Sequence, residues 1–119
     1  MLTGRSMGTL VAFETLVLNT DLNVDTPITL GSPLGMRTIA NRLRGRPSSG
    51  GLPTPAVRRW VNIFDPRDPV AGAGRLDWLW PMVEDYGVHN GDLPHAIGRY
   101  LSKKITGKVV ADAAAATSK

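Results

Sequence analysis

Serine, aspartate and histidine occur here in an order and spacing that could perform acyl-transfer chemistry. Gly4-Arg5-Ser6-Met7-Gly8 matches G-x-S-x-G, in which glycines allow a tight turn between strand and helix and the serine stands at its tip. A serine hydroxyl needs a base to take its proton, and the base needs a carboxylate to hold its tautomer and stabilise its charged form. The chain has two histidines, His89 and His95. His95 is the better base, because it follows a turn at Asn90-Gly91 and opens a helix, whereas His89 reads as a strand-end or turn residue. Asp65 and Asp68 both follow a strand-like run; Asp68 is favoured as the acid and Asp65 is the alternative. The backbone N–H of Met7, next after the nucleophile, would serve an oxyanion. Set against this, Ser6 could simply cap a helix, and Asp65-Pro66 and Asp68-Pro69 are ordinary turn dipeptides.

The elements that must position these residues can be read from the hydrophobic pattern. Residues 7–18 form a largely apolar helix candidate with Glu14 as its only charge, expected to be buried on most sides. Pro27-Ile28-Thr29-Leu30 is a short strand stopped by Gly31-Ser32-Pro33, and a brief helix is expected near Thr38 to Leu43. The Gly- and Pro-rich stretch 35–56 reads as a loop or lid remnant around that helix. Residues 57–64, β-branched and aromatic, predict a strand, and residues 83–88 predict another. A last helix is expected from about Pro94 through Ile105, weakening at Gly107 and giving way to a frayed alanine-rich tail over 107–119. This order predicts an α/β domain over 1–106, with a short, mostly parallel sheet of three to four strands flanked by helices. Its ligand-handling residues should lie beyond the strands' C-terminal ends.

Composition narrows the function classes. The absence of cysteine removes thiol nucleophiles, disulfides and thiolate metal sites. No apolar run approaches the roughly 18 residues that span a bilayer, and no secretory signal is evident, so cytoplasmic residence is the expectation. The net charge of +4 owes much to Arg37, Arg42, Arg44, Arg46, Arg58 and Arg59. Such a cluster could attract anions, but no aromatic residue is interleaved among these arginines for base stacking, which argues against nucleic acid as a partner.

Residues 4–14, Gly4 through Glu14, resemble the nucleophile elbow and following helix of the α/β-hydrolase superfamily, in particular its lipase- and esterase-like serine hydrolases. Residues 28–35 resemble the next strand and loop, 60–70 the acid-bearing segment, and 89–97 the base-bearing one, so that the likeness extends to about Ile105. It implies a partial α/β-hydrolase fold and hydrolysis of a small-molecule ester or related acyl compound through an acyl-enzyme. The catalytic residues would be Ser6, Asp68 and His95, with neither cofactor nor metal. Arg5 stands where histidine is frequent in such proteins. The family's earlier strands and second oxyanion-hole donor have no counterpart before Met1. A truncated chain is therefore expected, its sheet edge pairing with another polypeptide or with itself. A non-catalytic fragment that binds protein or anions is the alternative.

Overall fold

Inner strands of a parallel sheet are covered on both faces and read as continuous apolar runs. Pro27–Leu30 (β2) and Trp60–Phe64 (β3) are such strands, buried at every position. In the computed structural model, which describes residues 2–5, 8–18, 24–43, 57–71 and 74–117, they form the middle of a sheet. Leu2–Arg5 (β1) and Val83–Gly87 (β4) are its edges, giving a four-stranded, wholly parallel sheet of order β1-β2-β3-β4. The expected α/β class and parallel sheet are thus present.

Strands that advance in one direction place connections of a single hand on one face. Gly8–Leu18 (α1), the 3-10 turn Pro33–Gly35 and the short helix Arg37–Ala40 (α2) follow that rule. Phe13, Leu16, Leu34 and Ala40 from these elements pack with Trp60, Leu76, Trp80 and Val83. Within this layer the rings of Phe13, Trp60 and Trp80 lie with centroids 5.4 to 5.6 Å apart, tilted as aromatic quadrupoles prefer. The opposite face of the sheet presents Ile28, Leu30, Val61 and Ile63. It is covered by Tyr100 of Ile97–Leu101 (α3) and Val109 of Lys104–Thr117 (α4). Alternation along β3 therefore sends Trp60 to one layer and Val61 and Ile63 to the other.

Several expectations need correction. α1 buries one face rather than most of its surface: Thr9, Phe13 and Leu16 point inward, while Val11 is 68% and Leu18 58% exposed. The final helix is two helices, and the second runs through Gly107 as far as Thr117 with Val109 and Ala113 buried. Residues 107–117 are therefore helical rather than frayed. Burial of one face outweighs the weak helix preference of a single glycine. The short helix is Arg37–Ala40, and most of the expected loop, 44–56, lies outside the described residues. Among the described residues no helix is long and apolar enough to cross a membrane.

Arg59, counted above with the anion-attracting arginines, is engaged within the fold. It donates to both carboxylate oxygens of Glu84 at 2.8 and 3.0 Å, and lies 3.7 Å from Asp112 on α4. Glu84 sits below the ordinary carboxylate range chiefly because of this bond.

Candidate active site

Among the described residues, the exits of β3 and β4 build the site. After β3, Asp65 and Asp68 occupy a tight turn in which the Asp68 N–H donates to the Asp65 carbonyl at 2.9 Å. After β4, the loop through Asn90 and Gly91 leads to His95, and α3 follows immediately. After β1, the chain enters α1 at Gly8; Ser6 and Met7, the expected nucleophile and oxyanion donor, lie outside the described residues.

The structure brings Asp68 and His95 together. His95 Nδ1 donates to Asp68 Oδ2 at 2.6 Å, and the carboxylate is wholly buried while the imidazole keeps 27% of its side-chain surface. A carboxylate can only accept, so the proton of this bond resides on Nδ1. Oδ1 of Asp68 accepts from the N–H groups of Val70 at 2.9 Å and Ala71 at 3.4 Å. Oδ2 also accepts the Tyr100 hydroxyl at 2.7 Å. Burial, followed by its bond to Asp68, pushes the Tyr100 phenol well above its usual range, so it remains a neutral donor.

Asp65 has a different place. Its Oδ2 accepts the Asn90 N–H at 2.7 Å and its Oδ1 the Arg67 N–H at 2.9 Å, tying the exits of β3 and β4 to each other. Burial by itself would raise the Asp65 pKa. The N–H groups of Arg67 and Asn90, with the Arg67 guanidinium, outweigh that effect and hold the carboxyl below the usual range. No hydrogen bond joins Asp65 to the His95 ring. The other histidine, His89, is exposed; Arg67 donates to its Nδ1 at 2.8 Å and also to the Gly91 carbonyl, and Lys103 donates to the His89 carbonyl at 2.7 Å.

Two glycines matter to this geometry. Gly31, at the exit of β2, has φ +56°, and a Cβ there would stand 2.7 Å from Asp68 Oδ2. In the elbow motif, a Cβ on Gly4 would approach the Thr9 backbone to 3.1 Å, whereas one on Gly8 would meet nothing within 4 Å. Only the first glycine is thus required by the close packing of strand against helix. The helix start is also pinned by a 2.7 Å hydrogen bond between the Thr9 and Ser32 hydroxyls, both residues buried.

An open cleft of about 430 Å³ adjoins His95, lined by Pro69, Asp92, Leu93, Pro94 and Ala96. A second void, about 10 Å³ beneath α1 between Phe13, Leu16, Ile28 and Trp60, is too small for a ligand. Among the described residues no group of three or more histidines and carboxylates is placed to hold a metal ion.

Tyr100 and Gly31 are site residues that sequence reasoning missed. Tyr100 reads as an apolar-face helix residue, and nothing in its spacing from His95 marks a shared neighbour. Comparison with protein-family models, curated proteins and solved structures returns no match for this chain.

Proposed function

We propose that this chain carries the catalytic centre of an α/β-hydrolase-like serine hydrolase acting on carboxylic esters or related acyl compounds. The observation that carries this reading is the 2.6 Å bond from His95 Nδ1 to a buried carboxylate. Such a bond fixes one imidazole tautomer and stabilises the imidazolium that forms when the ring takes a proton. With Nδ1 directed to Asp68, Nε2 is the atom that would accept the proton of the Ser6 hydroxyl. The serine oxygen would then bond to the acyl carbon, and the carbonyl oxygen would gather charge opposite the Met7 N–H. His95 would return the proton to the departing alkoxide, leaving an acyl-serine. A water molecule, deprotonated by the same ring, would release the acid and restore the hydroxyl. β1, whose last residue precedes Ser6 in the chain, runs parallel to β3 and β4, so its C-terminus lies at the sheet end that carries Asp68 and His95. The cleft beside His95, walled by Pro69, Leu93, Pro94 and Ala96 with Asp92 as its one carboxylate, suits an apolar group that carries no negative charge.

The test is labelling of the purified protein by a fluorophosphonate probe, with Ser6→Ala and His95→Ala as controls. Labelling in the wild type that disappears in both variants is expected. A folded wild-type protein that takes no label would sink the catalytic reading.

A second reading, a non-catalytic module that docks a partner or its own copy through the sheet edge, has one observation in its favour. β1 ends the sheet with no strand beyond it among the described residues, and Val11 and Leu18 of α1, the helix that follows it, are exposed. Leu2 N–H donates toward β2, to Thr26, so alternation directs Thr3 N–H outward. Thr3→Pro removes that outward donor while sparing the ladder to β2. If the edge pairs two copies, this substitution converts a concentration-dependent dimer into a monomer in sedimentation velocity. A wild type already monomeric at high concentration removes self-pairing.

A further inference from the structure

We propose that Tyr100 is a positioning residue for the His95–Asp68 pair, its hydroxyl sharing the carboxylate oxygen used by the imidazole and so weakening that oxygen's hold on the Nδ1 proton. The inference rests on the assignment of His95 and Asp68 as base and acid, but not on the reactivity of Ser6.

Oδ2 of Asp68 receives both His95 Nδ1, at 2.6 Å, and Tyr100 Oη, at 2.7 Å. The phenol has little freedom to do otherwise. The Asp65 N–H donates to Tyr100 Oη at 3.0 Å, which occupies an oxygen lone pair and directs the hydroxyl proton toward Asp68. The ring is fully buried against Ile28, Leu30, Ile63 and Val109. The junction of α3 and α4 is fastened by the Thr106 hydroxyl, which donates to the Tyr100 carbonyl at 2.8 Å. A Cβ at Gly31 would come within 3.1 Å of the same Oη and 2.7 Å of Oδ2, so β2 leaves room for this pair of oxygens by having no side chain there. A donor shared on one oxygen draws electron density from the other bond, so the imidazolium is stabilised less than by an undivided carboxylate. The groups that face this centre are Asp68 and Asp65 from the β3 exit, Tyr100 from α3, and Asp92 with its Arg99 partner at the cleft. Arg67, whose guanidinium lies 3.7 Å from Asp65 Oδ1, also bonds His89, and Lys103 completes this group around the β4 exit.

The experiment is an NMR titration of the His95 ring in the full chain, its signal assigned by its loss in His95→Gln. In Tyr100→Phe the midpoint is expected to rise by about 0.5–1 pH unit, because Asp68 then serves the imidazole alone. In Val109→Ala, which loosens the same core without touching the hydroxyl, the midpoint should stay where it is. An unchanged or lowered midpoint in Tyr100→Phe overturns the proposal, as does an equal rise in Val109→Ala. Should Tyr100→Phe fail to fold, fluorotyrosine incorporated in a Tyr86→Phe background supplies a more acidic phenol at Tyr100. The midpoint should then fall, and no fall overturns the proposal. Fluorophosphonate labelling of wild type separates the two claims. Absent labelling with a raised Tyr100→Phe midpoint removes the hydrolase reading and keeps this one. Intact labelling with an unmoved midpoint does the reverse.

Discussion

At Asp68 four donors converge on one buried carboxylate, from Val70, Ala71, His95 and Tyr100, whereas Asp65 accepts only backbone and guanidinium groups at the seam between two loops. Asparagine at each position separates their roles. Asp68→Asn is expected to slow probe labelling by about 10⁴-fold, because an amide presents the wrong partner to Nδ1. Asp65→Asn should leave labelling within about tenfold and cost about 1–3 kcal/mol of stability, read by urea unfolding. The acid limb of stability follows from the same residue. The Asp65 pKa is lowered on folding, so its contribution is complete above the unfolded value of about 3.9 and is lost as pH falls through the folded value. Urea midpoints measured from neutral pH down to about pH 2.5 should therefore fall in the acid range, and fall less steeply in Asp65→Asn.

Across the β1–α1 connection the two glycines of the elbow motif, equivalent in the sequence pattern, separate sharply in their surroundings. Gly4→Ala forces a methyl against the Thr9 backbone and should destabilise by about 1–3 kcal/mol. Gly8→Ala meets open space at the first helical position and should be neutral or stabilising by up to about 1 kcal/mol. Thermal unfolding of both variants checks this, and equal losses would show that the helix start is tighter than described. The contrast illustrates what a sequence can carry. β2, β3 and β4 were legible because short β-branched or aromatic runs end at Gly31, Asp65-Pro66 and the Asn90-Gly91 turn. The Asp68–His95 pairing was legible from chain order and the chemistry of the two types. α4 was not, since Gly107 interrupts the pattern and the alanines after it, although good helix formers, mark no buried face by themselves; the helix is held by burying Val109 against a distant sheet face, with Ala113 also buried. The use of Arg59 by Glu84 and Asp112 was equally hidden, because those partners stand far along the chain.

As a whole, the molecule is a sheet between two unequal helical layers. The α3–α4 layer carries Tyr100 and adjoins His95, while the α1 layer begins where the elbow motif ends. Ending the chain after Thr106 would strip Val109 and Val110 from the face of Ile28, Leu30, Val61 and Ile63, leaving Tyr100 as its main cover. That variant is expected to be insoluble or unfolded by far-ultraviolet circular dichroism, and a soluble variant with unaltered unfolding would show that α4 is not a structural layer. The packed rings of the other layer have an optical consequence. Trp60 and Trp80, 5.4 Å apart and both buried, lie within exciton-coupling range, and Phe13 of α1 wedges against each. Far-ultraviolet dichroism of this indole couplet thus reports on the seating of α1, since departure of Phe13 would free both rings to reorient and weaken the couplet.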